Sequence, residues 1–259
     1  MKKRIISLLF LSTLALASVS CEKEKGEDTP ETIVPDGAVD MGIEMTRPDG
    51  TKYKLFWAEC NLGASAPEEF GDYYAWGEIE PMTSGYDMDS YKYANGSDKM
   101  QTGPNSYVLY LLLTRYCPVD LPEYWGAGGV PDGKTQFSDY AYADDAARAR
   151  LGGKWRMPTE AEWMAMRRNS IMTVETVNNV RCFKLASKIT GNKIYLPAAG
   201  SFDSSHGKEA FYWTATLDKE YPSTARGWVR TQSGTVYTDG SMTSLQRWGG
   251  FSIRAVYEE

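Results

Sequence analysis

The sequence predicts an α+β domain of mostly antiparallel strands, with few short helices and long irregular loops. Three observations support this class. The 259 residues include 17 Tyr, 8 Trp and 24 Gly, a composition typical of a strand-rich domain with many turns. Short alternating or apolar segments recur between turn signals. Only two segments combine helical periodicity with capping residues.

The first half of the chain predicts a hairpin followed by an irregular region. Residues 38–45 alternate as a strand, residues 47–50 read Arg-Pro-Asp-Gly and indicate a turn, and residues 52–60 predict a second strand. Residues 81–137 are rich in Gly, Pro, Asp, Ser and Tyr and keep no period for long. Within them, the apolar run at residues 107–113 is compatible with either a strand or a helix.

The second half of the chain predicts almost only strands. Residues 172–177 and 180–187 flank Asn178 and Asn179, a two-residue hairpin turn. Further strands are predicted at residues 193–196, 211–217, 225–231, 235–238 and 251–257. We expect the C-terminal strands, from residue 211 onward, to run as an antiparallel meander.

The segment around Pro158 predicts a sharp strand-to-helix junction. Pro158 ends a short strand because it has no ladder donor, and Thr159 with Glu162 forms a capping box. A helix of about residues 160–169 follows. A second short helix is predicted at residues 144–151, where two glycines end it.

Buried positions are predicted for two tryptophans and two arginines. Trp155 and Trp163 belong to elements with alternating or helical burial, so we expect both in the core. Arg156 and Arg254 each lie inside an apolar segment, and a buried guanidinium needs carboxylate or carbonyl partners to offset its desolvation. We expect these arginines to attach the junction to the C-terminal strand rather than to bind a ligand.

The N-terminal residues predict export and lipid anchoring. Three basic residues precede an apolar run that is shorter than the roughly 20 residues of a membrane span. Residues 1–20 therefore predict a lipoprotein signal peptide, and Cys21 is the predicted lipidated residue; cleavage after Ala17 is the alternative. Residues 21–36 predict a disordered tether and residues 37–259 the domain. The expected location is the outer membrane, on its periplasmic or extracellular face.

The charge of the mature chain argues against nucleic acid as a partner. Of the 28 basic residues, three lie in the predicted signal peptide, so 25 basic and 34 acidic residues leave a net charge of −9. Neither nucleic acid nor an anionic membrane surface attracts such a chain. We therefore expect contact with the membrane through the lipid anchor only.

Three cysteines follow the predicted lipidation site, and their pairing stays open. Cys60, Cys117 and Cys182 show no C-x-x-C spacing, so a zinc site is not expected. The predicted compartment permits a disulfide. The alternative is that all three are small buried thiols.

Seven short segments together resemble a known family. They are WAECNLGA (57–64), GDYYAWGE (71–78), DDAA (144–147), WRMPT (155–159), LPAAG (196–200), YWT (212–214) and SIRAV (252–256). In this order they resemble the Fibrobacter succinogenes major paralogous domain family of Bacteroidetes lipoproteins, which is related to the formylglycine-generating-enzyme-like branch of the C-type-lectin-like fold. The resemblance covers roughly residues 38 to 257 and implies a C-type-lectin-like architecture. It does not imply a particular function.

No catalytic residue, metal or cofactor is predicted. His206 is the only histidine, so sites with several histidines are excluded, and a solvated loop histidine is favoured over a catalytic triad. The formylglycine-generating branch uses two cysteines for copper in its C-terminal half, where this chain has only Cys182. A lectin-type calcium site is not expected, because Met82 follows Glu80-Pro81 where an oxygen ligand is needed. Paired carboxylates for glycoside hydrolysis and a structural calcium stay open.

The expected function is a non-enzymatic binding module for a glycan or a protein, and the alternative is a structural or assembly component of a cell-surface complex. In an antiparallel meander, the connections that carry four candidate residues return to the same end of the sheet. The predicted ligand-binding residues are Tyr221, Asp239, Arg247 and Trp248, which combine aromatic stacking with hydrogen bonding. The competing interpretation is that Trp248 folds back over the sheet edge.

Overall fold

The computed structural model describes residues 33–85, 88–103, 106–233, 236–237 and 240–259. The predicted signal peptide, Cys21 and most of the predicted tether lie outside the described residues. Strands dominate the described part, and the pairings between its named strands are antiparallel. The predicted class of mostly antiparallel strands with few short helices is therefore confirmed. Val34–Glu259 form one compact unit.

Helices and strands follow one another irregularly along the chain. The described residues form helices α1 (Ala146–Leu151) and α2 (Glu160–Arg168) and single 3-10 turns at Met88–Ser90, Pro122–Tyr124 and Phe137–Tyr140. The strands are β1 (Ala38–Thr46), β2 (Lys52–Ala58), β3 (Ala94–Gly103), β4 (Ser106–Leu113), β5 (Trp155–Arg156), β6 (Ser170–Val177), β7 (Val180–Ser187), β8 (Lys193–Pro197), β9 (Ala210–Leu217), β10 (Thr224–Arg230), β11 (Gln232–Ser233), β12 (Val236–Tyr237), β13 (Ser241–Gln246) and β14 (Val256–Glu258).

The strands assemble into three sheets and two separate hairpins within the described residues. The first sheet has the order β1-β2-β14-β5, so the N-terminal hairpin pairs with the C-terminal strand. The second sheet has the order β13-β10-β9, and the third has the order β6-β7-β8. The hairpins are β3 with β4 and β11 with β12. The junction strand β5 therefore lies at an edge of the first sheet, next to β14.

The predicted hairpins are confirmed. β1 and β2 pair on either side of the turn at residues 47–50, with a bulge between Asp40 and Ile43. Asn178 and Asn179 connect β6 to β7 with φ values of 46° and 66°, which lie in the left-handed region that this tight turn requires. Strands β9, β10 and β13 form an antiparallel meander, of which the first two strands were predicted.

The structure decides one open assignment and shortens one predicted strand. The run at residues 107–113 belongs to β4, which pairs with β3, a strand whose polar residues show no alternating pattern. The predicted strand at residues 251–257 shortens to β14, because the residues before it bond to several elements in turn. Phe251 exchanges two hydrogen bonds with Tyr74, and Ser252 then bonds to the backbone of β9.

The third strand of the meander is β13, not the predicted segment at residues 235–238. From that segment, Val236–Tyr237 form β12 in a small hairpin with β11, and residues 235 and 238 lie outside the described part. β13 has the sequence Ser-Met-Thr-Ser-Leu-Gln, which contains only two apolar residues. Pairing with β10 defines this strand, and the local pattern does not predict it.

Three clusters of buried side chains form the core. In the first, the Trp163 ring of α2 stacks on Trp228 with centroids 5.5 Å apart and meets Trp57 edge-on at 5.0 Å. The second cluster is built around Trp76 and Trp213. The third gathers tyrosines and leucines on and around β4. Helix α2 thus joins the sheets through its one tryptophan.

The two junction tryptophans differ in burial. Trp163 is 1% exposed, which confirms its predicted core position. Trp155 is half-buried and packs edge-on against Tyr257 at 5.5 Å. Its predicted core position is corrected to a boundary position, because β5 lies at the edge of its sheet and has a neighbouring strand on one side only.

The N-cap residue of α1 ties this helix to the junction. Asp145 accepts a hydrogen bond from the backbone N–H of Arg148 at 3.0 Å and one from the backbone N–H of Met157 at 2.9 Å. The helix therefore begins two residues after the predicted residue 144. Burial raises the pKa of Asp145 to about 6, although these hydrogen bonds act in the opposite direction.

Replacing Asp145 by asparagine tests this buried carboxyl group. Because its pKa in the folded protein exceeds the usual 3.8, Asp145 contributes stability at low pH that is lost as the pH rises through about 6. We expect the free energy of unfolding of Asp145→Asn, relative to the parent, to increase by about 2–3 kcal/mol between about pH 4 and pH 7. Urea melts across this range measure the difference, and a difference independent of pH would contradict the expectation.

Candidate functional site

A buried ion pair lies at the junction between β5 and α2. Arg156 and Glu162 are 6% and 0% exposed, and two parallel hydrogen bonds of 2.6 and 2.8 Å join the guanidinium to the carboxylate. The Glu162 carboxylate also accepts from the backbone N–H of Thr159 at 2.7 Å, and the Thr159 hydroxyl accepts from the N–H of Glu162 at 3.3 Å. The predicted capping box is confirmed, and its glutamate also neutralises a buried arginine.

Neighbouring strands complete the shell of this pair. Glu258 of β14 accepts from Arg156 at 2.7 and 3.1 Å, and the Tyr53 hydroxyl of β2 donates to Glu162 at 2.9 Å. Arg47 forms an ion pair with the other carboxylate oxygen of Glu258. The prediction that Arg156 attaches the junction to the C-terminal strand is therefore confirmed.

The charges of this network are fixed by their neighbours. Burial opposes ionisation of Glu162, but the hydrogen bonds and charge of Arg156 hold the pKa of this carboxyl group below its usual value. Burial and the charge of Glu162 raise the pKa of Tyr53, so its phenol remains a hydrogen-bond donor. Burial acts against the charge of Arg156, but the two glutamates outweigh it and raise the pKa of the guanidinium. The pair is therefore ionised at neutral pH.

A cleft in two adjoining lobes opens beside the pair. The first lobe has a volume of about 360 Å³ and the second about 450 Å³. Five residues line both lobes: Arg47, Tyr53, Tyr142, Arg156 and Glu258. Both volumes fall in the range of small-molecule sites in proteins. We call this feature the junction cleft.

The lining of the junction cleft combines aromatic, hydroxyl, amide and charged groups. The Arg47 guanidinium lies 4.3 Å from the centre of the Tyr53 ring, and that of Arg148 lies 4.8 Å from the Tyr142 ring. The first lobe adds the polar residues Gln136, Ser138, Thr159, Thr216 and Lys219. The second lobe adds Lys52, Arg148 and Lys154. Such a lining can form many hydrogen bonds to a polar ligand.

Arg247 is buried, which corrects its predicted place on a ligand-binding surface. Its side chain is 0% exposed. Its guanidinium donates to the Tyr91 hydroxyl at 2.9 Å and to the carbonyl of Pro222 at 3.1 Å. Two further hydrogen bonds of 3.2 Å reach the carbonyl of Arg115, and the Trp76 ring centre lies 4.8 Å away. Carbonyl groups of two loops thus hold the side chain inside the protein.

Of the other predicted ligand residues, the structure describes Tyr221 and Trp248, and the small cavity that Trp248 lines includes neither Tyr221 nor Arg247. Residues 241–246 of the second predicted connection form β13 instead, and only the residues after this strand reach the end of the sheet near Tyr221, where Arg247 N–H donates to the carbonyl of Ser223 at 3.2 Å. Tyr221 is 48% exposed. Trp248 is half-buried, packs against the third core cluster and lines a small cavity of about 170 Å³ that Tyr221 does not line. Asp239 lies outside the described residues.

Arg254 is fully buried without a carboxylate partner among the described residues. Its guanidinium donates to the Asn61 side chain at 2.7 and 3.0 Å and to the carbonyl groups of Ala58, Glu59 and Tyr195. Burial lowers its pKa. The predicted carbonyl partners are confirmed, and Arg254 ties the residues before β14 to the end of β2 and to β8.

The described residues contain no other strong candidate for a nucleophile, a general base or a metal site. Cys60, Cys117 and Cys182 are free thiols, and burial raises the pKa of Cys117 to about 12 and that of Cys182 to about 11. His206 is exposed, and its ring nitrogen lies 2.8 Å from the carbonyl oxygen of Ser201. In the same part of the chain, no group of three or more His, Cys, Asp or Glu side chains has the arrangement of a metal site, and no helix has the length and apolar character needed to span a membrane.

The junction cleft was not predicted as a site, and its residues explain why. Arg47 and Tyr53 come from the N-terminal hairpin, whereas Tyr142 and Glu258 come from two distant parts of the chain, and no local pattern links these three parts. The available signal was an arginine inside an apolar strand followed by a capping glutamate. That signal predicts a buried ion pair, but not the cavity beside it.

Comparison with known proteins does not assign the chain to a family. No family model matches it, and neither the curated proteins nor the solved structures give a significant match.

Two substitutions separate the roles of the capping box and the ion pair. Glu162→Gln keeps the shape of the side chain but leaves the Arg156 charge only partly neutralised, so we expect a loss of about 3–5 kcal/mol in the free energy of unfolding. Thr159→Ala removes only the cap oxygen and should cost about 1 kcal/mol. Urea melts measure both losses. An equal cost for the two variants would show that the buried pair contributes little beyond the cap.

Proposed function

We propose that the protein is a non-enzymatic binding module and that a glycan binds in the junction cleft. The observation that carries this proposal is the cleft itself, whose lobes of about 360 and 450 Å³ place two tyrosines beside hydroxyl, amide and charged groups. Sugars are recognised by aromatic contact combined with hydrogen bonds to their hydroxyl groups. This lining supports a glycan over an apolar ligand.

The floor of the junction cleft favours binding because it is held in place before a ligand arrives. Arg156 is fixed by two glutamates, and Tyr53 is fixed by its hydrogen bond to Glu162. A ligand that contacts these groups does not have to order them, so less of its interaction energy is lost as entropy. This preorganisation suits recognition of a weakly binding polar ligand.

We also propose the C-type-lectin-like architecture that the seven sequence segments imply. Contacts between these segments support it. Segment 57–64 bonds to segment 252–256 through Ala58 N–H and the Ala255 carbonyl at 2.9 Å. Side-chain hydrogen bonds join segment 71–78 to segment 212–214. The Tyr212 hydroxyl forms a hydrogen bond that joins segment 196–200 to segment 212–214. The residues that carry the resemblance are thus those that join the core.

Lipid anchoring at Cys21 and an outer-membrane location complete the proposal. Their support is the apolar run before Cys21 and the polar segment after it, both in the sequence outside the described residues. Cys21→Ala should move the protein from the membrane fraction to the soluble fraction. Unchanged membrane association together with a mature N-terminus at Ser18 would contradict lipidation.

A glycan array followed by calorimetry tests the binding function and its place. We expect the Cys21→Ala protein to bind a selective set of glycans, and Tyr142→Ala to weaken binding of the best of them about tenfold, as expected for loss of one aromatic contact. Tyr221→Ala is the matched control, because it removes an exposed tyrosine that lies outside the cleft.

The possible outcomes separate the alternatives. An array with no selective glycan would contradict the binding module and favour the structural or assembly role. Loss of binding in Tyr221→Ala with full binding in Tyr142→Ala would place the site at the end of the meander instead. Urea melts of both variants show whether either change acts through the fold.

A further inference from the structure

We infer that the ligand of the junction cleft is anionic, namely an oligosaccharide that carries repeated carboxylate or sulfate groups. This inference rests on the proposed glycan-binding function and adds the chemical class of the glycan. Six basic and three acidic side chains line the two lobes. The protein as a whole has a net charge of −6, so the cleft has the opposite sign from the rest of the chain.

The charged floor of the junction cleft consists of Arg47, Arg156, Glu162 and Glu258. The ion pairs among these four residues leave the excess of positive charge in the lining unchanged. Arg156 is neutralised by Glu162 and shares Glu258 with Arg47, so two cations and two carboxylates balance. Glu259 is the remaining acidic side chain of the lining. Once the balanced floor is set aside, four basic side chains and one acidic side chain remain in the lining.

The four remaining cations are available to a ligand. Lys52 pairs at 3.2 Å with Glu44, but both side chains are largely exposed, so water weakens this contact. Arg148, Lys154 and Lys219 form no ion pair with the described residues. Arg148 donates to the carbonyl of Gly153 and lies over the Tyr142 ring, which positions its charge at the cleft.

The position of these cations indicates an oligomer rather than a single charged sugar. Lys219 lines only the first lobe, whereas Lys52, Arg148 and Lys154 line only the second. Each lobe therefore has its own cation beyond the shared floor. A concave surface concentrates the field of such charges and attracts a ligand of opposite sign. A chain whose sugars each carry an anionic group matches both lobes at once.

Calorimetry with matched oligosaccharides tests the inference on the Cys21→Ala protein. The probes are trigalacturonate, its methyl ester, which has the same sugars without charge, and a chondroitin sulfate tetrasaccharide. We expect one or both anionic probes to bind at least tenfold more tightly than the methyl ester, and this advantage to fall with added salt. Binding of trigalacturonate alone identifies a carboxylate ligand. The chondroitin sulfate tetrasaccharide carries carboxylates as well as sulfates, so its binding identifies a sulfate ligand when the desulfated tetrasaccharide fails to bind.

Charge reversals place the ligand in the cleft. Lys154→Glu and Lys219→Glu should each weaken binding of the anionic probe at least fivefold, the factor that corresponds to about 1 kcal/mol for one charge pair at about 4 Å in water. Lys208→Glu makes the same change at an exposed position outside the cleft and should leave the affinity unchanged. These three lysines are exposed, so the fold is expected to tolerate all three changes.

The different failures are distinguishable. Equal binding of trigalacturonate and its methyl ester would overturn the anionic ligand while the glycan-binding function stands. Equal effects of all three lysine variants would overturn the role of the cleft cations in binding the anionic ligand. Failure of every probe and of every glycan on the array would overturn both.

Discussion

The buried pair of Arg156 and Glu162 is the interaction on which the rest of this structure depends. Taking two charges out of water is costly, and the cost is offset only when every donor and acceptor is satisfied. Here the glutamate accepts from its own helix cap, from the arginine and from Tyr53, while Glu258 completes the guanidinium. The Glu162 carboxylate thereby joins α2 to β5 and β2, and the Glu258 carboxylate joins β5 to β14. The same bonds hold the floor of the junction cleft rigid.

The protein solves the problem of buried arginine in two ways. Arg156 has carboxylates, whereas Arg247 and Arg254 are surrounded by backbone carbonyls, an amide and aromatic rings. A guanidinium that is bonded by backbone carbonyls needs loops whose C=O groups converge on it. Arg247 and Arg254 therefore each define the course of the loops around them. This requirement explains how long irregular segments pack without regular pairing.

The junction and the hairpins were predictable because local interactions define them. The remaining features depend on contacts between residues far apart in the sequence, so they could not be predicted. Pro158, Thr159 and Glu162 act within one helical turn, so the strand end and the capping box follow from the sequence. β3 and β13 depend on partner strands, and their polar residues give no alternating signal. Arg247 was expected at the surface because it lay in a predicted connection between two strands, but distant carbonyl groups hold it inside. The junction cleft is formed by residues whose spacing in the sequence does not predict that they meet.

The stacked indoles of the first core cluster give the fold an optical signature. The indole N–H groups of Trp57, Trp163 and Trp228 make no hydrogen bond within the described part of the chain, and their rings touch one another. An indole in such a dry environment emits at shorter wavelengths than one in water, and close rings in fixed orientation couple their electronic transitions. The coupled circular dichroism of the Trp163–Trp228 pair therefore reports on the contact between α2 and β10, whereas the fluorescence also contains emission from other buried tryptophans such as Trp76 and Trp213.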